Sequence, residues 1–599
     1  MQYNRLFDFV ATQAAERPGA TMLASKVNGA WVTLSGKEVY DKSLALASGI
    51  INLGISSNIH DAELQEKIAI VSNNRPEWLI TDLAVQQAGA ILTPVYPTVS
   101  PQDFAFILNE ANVKVLFLAD ATLYERFSVV FDKVPSLSHV YTFDQVKGVK
   151  NWTELKGTQA DEDKRLAISA NITETDIATI IYTSGTTGKP KGVMLSHANI
   201  VSNVLDCGPA FSFARAGDRA LSFLPLNHIF EKTVSYIYLH SGLAIYYAEN
   251  MDTIGTNLKE VQPMVFTCVP RLLEKVYERI MATGMELKGI KRSLFFWAVA
   301  LGNKYDNAEC GSWWYRLQLS IANKLIFNKW RQALGGRVEA VVSGSAALSE
   351  KLIRIFGAAQ ITVMEGYGLT ETSPVISVNL LESGGRRIGT VGLVIRNVQV
   401  KIAEDGEILC KGKNVMVGYY KNAEATAETI DSGGWLHTGD IGTLVDGKFL
   451  KITDRKKEIF KTSGGKYVAP QAIENKFRES PFIEQMMIVG AGRKFVSALI
   501  VPNFENIRKK LANDGVPLPA SNKDLVQESS VAALVQQQLD KYNPEFGHVE
   551  QIKKFCLLPN DWTVDSGLLT PKLSLRRKVI EQRFGREIEN MYGTAAQPV

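Results

Sequence analysis

The sequence predicts an α/β protein. It has a large N-terminal domain of βαβ layers that carries an antiparallel β-subdomain, followed by a small C-terminal domain. Three observations lead there. The chain has 599 residues, 46% of them apolar, more than one compact core accommodates, so two or more domains are expected. From Lys67 onward, short β-branched runs alternate with longer helical patterns. After about Gly384 that rhythm gives way to short strands joined by tight turns.

The alternation begins with KIAIVSNN, PEWLITDLAVQQAGA, ILTPVYP, PQDFAFILNEAN and VKVLFLAD, the strand-helix-strand order of parallel βαβ units. It returns at DIATIIYTSG, RALSFLPLNH, MVFTCVPRLLEKVYERI and VEAVVSGSAAL, each a strand closing on a Gly, Ser or Pro turn. Ligands of open α/β sheets bind at the carboxyl ends of the strands, so these turns are where chemistry is expected. In GTVGLVIRNVQVKIAEDGEILCKGKNVMVGYY the EDGE tetrapeptide predicts a hairpin turn, and IGTLVDGKFLKIT predicts a second hairpin. The latter runs into DRKKEIFKTSGGKYVAP, which places the domain boundary near Asp454 and gives domains 1–453 and 454–599.

Charge excludes one class of partner. With 66 basic and 62 acidic residues, no overall field gathers nucleic acid. Cys207, Cys268, Cys310, Cys410 and Cys556 lie far apart, with no zinc-type spacing, which predicts a reducing, cytoplasmic setting. The first twenty residues mix acids and bases without a signal-peptide core, and no apolar run approaches the roughly 18 residues of a spanning helix. Residues 286–337 stand apart, with nine basic residues against three acidic ones and a concentration of Phe and Trp. They predict helices with aromatic faces, suited either to core packing or to a peripheral lodging on anionic lipid.

The strongest local signal is Ile180 to His197, IIYTSGTTGKPKGVMLSH, where an apolar strand opens into a loop of three glycines, four hydroxyl residues and two lysines. Backbone N–H groups approach phosphate closely where side chains are missing, and hydroxyls and ammonium groups add donors and charge. Gly185 and Gly188 stand too close together for a Walker A loop. In EGYGLTETSP, Tyr367 offers a ring to a base, Thr370 a hydroxyl to a phosphate oxygen, and Glu371 a hard carboxylate of the kind Mg²⁺ prefers. Ser343, Gly344 and Ser345 form a small-residue turn that leaves room for a flat ring.

YTSGTTGKPKG resembles the phosphate-binding signature of the adenylate-forming superfamily, which includes acyl-CoA synthetases, peptide-synthetase adenylation domains and luciferases. FLPLNHIFE, VVSGSAAL, EGYGLTETSP, GWLHTGD, ITDRKKEIFKTSGGKYVAP and LLTPKLSLRR follow in the superfamily's order, so the resemblance spans nearly the whole chain. The NHIFE wording is closer to the long-chain fatty acid branch. The resemblance implies the adenylate-forming fold, with a small, mobile α+β C-terminal domain. It also implies ATP-dependent conversion of a fatty acid to acyl-AMP and then to acyl-CoA, with Mg²⁺, ATP and CoA as its partners.

By the same resemblance, Thr183, Ser184, Gly185, Thr186, Thr187, Gly188 and Lys191 hold phosphates, and Ser343, Gly344, Ser345, Tyr367 and Gly368 frame adenine. Thr370 holds the α-phosphate, Asp440 and Arg455 hold ribose, and Glu371 with Thr183 faces the metal. His228 is expected near the carboxylate or thiol channel, Lys457 at the hinge, and Gly464 and Gly465 at the CoA tunnel. The chain departs from its relatives at the adenylation lysine, where Ser574 stands in the position long-chain members often use. Lys572 is chosen instead from Lys572, Arg576, Arg577 and Lys578, because Pro571 fixes the path of the backbone before it. Two other readings stay open: an acyl-AMP ligase that loads a carrier-protein thiol, and a nucleotide- or acyl-binding protein without catalysis.

Overall fold

Two large sheets organise the residues before Asp454, and both are built from the alternation described above. The computed structural model describes residues 3–55, 59–184, 190–308, 311–563, 566–570 and 575–593. In the eight-stranded sheet, Lys67–Val71 lies between Ile91–Pro94 and Val113–Leu118, and all three run parallel. Helices Pro76–Gln87 and Pro101–Glu110 form the crossovers. Every residue of Lys67–Val71 and Ile91–Pro94 is buried, as strands covered on both faces must be. The strand Ile177–Ser184 joins this sheet beside Ile91–Pro94 and turns back antiparallel as Pro190–Ser196.

The second sheet has thirteen strands among the described residues. Thr362–Gly368, Ala340–Ser343, Val265–Cys268, Arg219–Ser222, Ala244–Tyr247 and Thr21–Val27 run parallel through its middle. Beyond Thr362–Gly368 the direction reverses at Val375–Val378, and the hairpins at 398–412 and 436–455 continue the same sheet antiparallel. The change of texture after Gly384 is therefore a change of strand direction within one hydrogen-bonded sheet. Alternation of half-buried and exposed residues in Val398–Ile402 marks a strand with one covered face.

Helices Pro76–Gln87 and Ile229–His240 are buried along nearly their whole length, which requires structure on every side of them. One belongs to each sheet, and a fully buried ion pair joins them. Lys232 Nζ meets Asp82 Oδ1 at 2.6 Å, and the Tyr236 hydroxyl donates to Asp82 Oδ2 at 2.7 Å. Charges are retained in such a core only when paired and hydrogen-bonded.

The C-terminal region has a three-stranded sheet, Ile483–Val489, Val496–Pro502 and Ile552–Leu557, covered by Pro470–Phe477 and Ser529–Tyr542. Its three apolar clusters draw their buried residues only from Val468 to Met591.

The block 286–337 is helical, with Gly289–Asn303 and Trp313–Ala322 followed by one wide turn and Asn328–Ala333. Phe295, Phe327 and Trp330 enter the core, whereas Trp313 and Trp314 face outward. Among the described residues no helix is long and apolar enough to cross a membrane. Cys207, Cys268, Cys410 and Cys556 are free thiols, and Cys310 lies outside the described residues.

Candidate active site

Antiparallel pairing of Ile177–Ser184 with Pro190–Ser196 sets Thr183 opposite Lys191, with Thr183 Oγ1 at 3.5 Å from the Lys191 carbonyl oxygen. Gly185, Thr186, Thr187 and Gly188 lie outside the described residues, as does the Ser184 side chain. A two-residue strand, Gly418–Tyr419, closes the other edge of the hairpin. The Tyr419 ring centre is 5.0 Å from Lys191 Nζ, and the Tyr419 hydroxyl donates to Glu371 Oε1 at 2.8 Å. Sequence reasoning missed Tyr419, because a Tyr that follows Gly in GYYKN carries no local sign of a partner 48 residues earlier.

Tyr367, Asp440 and Arg455 form a second group. Asp440 and Arg455 are cross-strand neighbours, with Arg455 Nε at 3.7 Å from Asp440 Oδ1. The Tyr367 hydroxyl donates to Asp440 Oδ2 at 2.6 Å. Burial raises the Asp440 carboxyl above the usual range, and the Tyr367 hydroxyl and the Arg455 charge pull it back. A buried carboxylate with one oxygen already engaged by a hydroxyl suits a neutral diol better than an anion.

Ser343, Gly344 and Ser345 follow the strand Ala340–Ser343 at its carboxyl end. Ser345 has φ +70°, an uncommon conformation for a residue with a side chain. A Cβ on Gly344 would come within 3.1 Å of the Phe230 ring, so a larger residue there would displace that ring. Gly368 has a different reason to be glycine: a Cβ there would overlap the Pro374 carbonyl oxygen. Thr370 is buried in the single turn Thr370–Thr372 that also carries Glu371.

Two carboxyls that sequence reasoning passed over lie beneath these turns. Glu231 is fully buried, with its oxygens accepting from the Ser222 and Thr267 hydroxyls, and burial pushes it up to about 7. Glu365, the register partner of Ser343, accepts from the Leu348 N–H at 3.2 Å and is pushed up to about 8 by burial. His228 begins the helix Ile229–His240, its Nδ1 accepting from the Phe230 N–H at 3.1 Å. That bond gives the imidazole a capping task.

In the C-terminal region, Gly464 and Gly465 form the tip of the hairpin Phe460–Lys461 and Tyr467–Val468. The Gly465 N–H donates to the Thr462 carbonyl, and the Ser463 N–H to that of Arg493. Lys457 is exposed in the turn before that hairpin. Pro571, Lys572, Leu573 and Ser574 lie outside the described residues. Of the competing cations, Arg577 is committed elsewhere, at 2.8 Å from Glu458 and 2.6 Å from Glu474. Among the described residues no group of three or more His, Cys, Asp or Glu side chains forms a metal cage. Glu371 alone nevertheless fits Mg²⁺ that arrives on a nucleotide, since Mg²⁺ commonly takes one or two carboxylates beside substrate phosphates.

Comparison with known proteins extends this picture along the chain. Residues 10–420 match the AMP-binding enzyme family, and residues 457–596 match the AMP-binding enzyme C-terminal domain. The chain is 32% identical to the long-chain-fatty-acid–CoA ligase FadD15 of Mycobacterium bovis, over 99% of this chain and 97% of the relative. It is 33% identical to the peroxisomal long chain acyl-CoA synthetase 6 of Arabidopsis thaliana, over 94% of this chain and 81% of the relative. Among solved structures, the anthranilate CoA ligase AuaEII in complex with anthranoyl-AMP superposes with a TM-score of 0.70 at 16% identity, covering 97% of both chains. The adenylation domain of a Mycobacterium chelonae carboxylate reductase superposes with a TM-score of 0.73 at 21% identity, covering 98% of this chain and 91% of the other. These two likenesses show the fold.

Proposed function

The chain belongs to the AMP-binding enzyme family, and from that premise we propose that it is a long-chain fatty acid-CoA ligase. A fatty carboxylate attacks the α-phosphorus of ATP, giving acyl-AMP and pyrophosphate. The CoA thiol then attacks the acyl carbonyl and releases AMP. The observation that carries this reading is end-to-end similarity to long-chain ligases, joined to the contacts that bring Tyr367 to Asp440, Asp440 to Arg455, and Tyr419 to Glu371 and Lys191.

Within it, Thr183, Ser184, Gly185, Thr186, Thr187, Gly188, Lys191 and Thr370 hold phosphates, Asp440 and Arg455 hold ribose, and Ser343, Gly344 and Ser345 with Tyr367 and Gly368 frame adenine. Glu371 holds Mg²⁺, which neutralises triphosphate charge when bound. The protein contributes position and electrostatic complementarity, and no covalent nucleophile is required. Lys572 meets the charge developing in the adenylation step. The division falls at 453/454, with Lys457 as the hinge, and Gly464 and Gly465 approach the CoA arm. Separate apolar clusters on the two sides of that division support the assignment.

Pyrophosphate exchange with a panel of carboxylates, followed by addition of CoA or a carrier protein, tests the reading. Exchange that peaks with long acyl chains and yields acyl-CoA is expected. Thioester on carrier protein alone would favour the carrier-loading alternative, and nucleotide binding without exchange would favour a non-catalytic protein.

A peripheral hold on the cytoplasmic face of a membrane is a second element of the proposal. Ile290, Trp313 and Trp314 are 80, 69 and 55% exposed, and Lys288, Lys291, Arg292, Arg316 and Lys324 share their helical block. Exposed rings and cations in one helical block suit anionic headgroups. Co-sedimentation with vesicles containing anionic lipid should fall when Lys288, Lys291 and Arg292 become glutamates. Binding unaffected by leaving out anionic lipid, or by that charge reversal, would remove the membrane from the proposal.

A further inference from the structure

Residues 416–420 touch both sides of the nucleotide site and belong to neither motif that defines it. Their backbone runs between them. The Met416 N–H donates to the Glu371 carbonyl, the Val417 N–H to that of Met194, and the Tyr420 N–H to that of Gly192, at 2.9, 3.1 and 2.7 Å. The Tyr419 N–H is fixed in turn on Thr426 Oγ1 at 2.9 Å. A segment held this way presents Tyr419 in one orientation. Its side chain then repeats the bridge, with the hydroxyl on Glu371 and the ring against the Lys191 ammonium.

We propose that Tyr419 is a positioning residue for adenylation, its hydroxyl orienting the Glu371 carboxylate toward the metal while its ring orients Lys191 toward the phosphates. A carboxylate that accepts a phenol on Oε1 keeps Oε2 for a metal, and among the described residues no protein donor engages Oε2. An ammonium over a buried ring is held without losing its three donors, which stay available to phosphate. One side chain thereby ties the metal-binding and phosphate-binding groups to a common frame, as preorganised electrostatics require.

Tyr420 supplies the contrast. It is also buried, but its hydroxyl has no hydrogen-bond partner among the described residues, and its ring faces Lys67 and Lys421. Loss of its hydroxyl therefore controls for the change from phenol to phenyl beside the site, and the split between binding with and without Mg²⁺ separates positioning from a purely structural role.

The proposal takes its ligand, Mg·ATP, from the adenylation reading. The test is titration calorimetry of the full chain with a non-hydrolysable ATP analogue, at several Mg²⁺ concentrations and in EDTA, without fatty acid. Tyr419→Phe keeps the ring and removes the hydroxyl. It should weaken Mg²⁺-dependent binding ~10-fold, the scale of a hydrogen bond to a charged group. Binding in EDTA should change less than about two-fold. Tyr420→Phe should leave both unchanged. In a Glu371→Gln background, Tyr419→Phe should add nothing further, because the charged acceptor through which it acts has been removed.

Wild-type affinity in Tyr419→Phe overturns the proposal, as does an equal loss with and without Mg²⁺, or full additivity with Glu371→Gln. Failure of the wild type to exchange pyrophosphate with any fatty acid, with these binding differences intact, would instead reject the adenylation reading and leave the positioning role standing.

Discussion

The groups proposed for the nucleotide on the large sheets and those proposed for the hinge and CoA in the C-terminal region are held in place by different means. Tyr367 and Asp440, and Glu371 and Tyr419, are joined by hydrogen bonds of 2.6 and 2.8 Å between segments far apart in sequence. Lys457 is exposed, and Gly464 and Gly465 occupy a hairpin tip. The links described across the proposed division are largely polar. Lys456 reaches Asp405 and Glu407 at 2.6 and 2.8 Å, and Arg271 pairs with Glu484. Partly exposed ion pairs contribute at most ~1 kcal/mol each, so a body attached by them can detach and re-dock. In the proposed mechanism, rigidity is concentrated where charge must be met, and reversibility where a second substrate must enter.

The sharpest test of that contrast is Glu371→Ala. Loss of an electrostatic group aimed at developing charge should lower Mg²⁺-dependent adenylation ~10³-fold, read as pyrophosphate exchange. Near-normal exchange would place the metal elsewhere. Lys572→Ala should lower the same exchange ~10²-fold yet leave conversion of supplied acyl-AMP and CoA intact, because this cation serves one half-reaction only. Equal loss in both halves, or a selective loss with Arg576→Ala instead, would break the assignment. Arg577 is a poorer substitute, since Glu458 and Glu474 already bind it.

Smaller effects probe the two regions separately. Asp440→Asn should raise the KM for ATP ~10-fold and that for fatty acid hardly at all, the signature of a lost charge-assisted bond to ribose. Arg271→Ala should shift the ratio of the two half-reaction rates ~3-fold, because the Glu484 contact belongs to one docking pose. Both rates falling together would make the contact merely structural.

The smallest expected effect concerns the rigid core. Glu365 is pushed up to about 8 by burial, above its unfolded value, so between that unfolded value and about 8 the folded state binds the extra proton. Its contribution to stability is full below the unfolded pKa and is lost as pH rises toward 8. The Tm of Glu365→Gln relative to wild type should therefore become more favourable from pH 5.5 to pH 8, by a few degrees. A flat difference would show the carboxyl ionised throughout.

Much of the architecture was legible in the chain because its signals are local. The alternation from Lys67 onward, the EDGE hairpin and the burial of KIAIV all follow from periods set by the backbone itself. The ordered motifs likewise carry the family resemblance in short contiguous segments. Tertiary structure alone placed Tyr419 on Glu371 and Tyr367 on Asp440, partners separated by 48 and 73 residues. It joined the parallel and antiparallel strands into one sheet, buried Glu231 and Glu365, and engaged Arg577 with Glu458 and Glu474. Turn chemistry and hydrophobic period are written residue by residue, whereas contacts between side chains on different strands depend on strand order and register. Those are set by the packing of the whole core, to which no single segment holds the key.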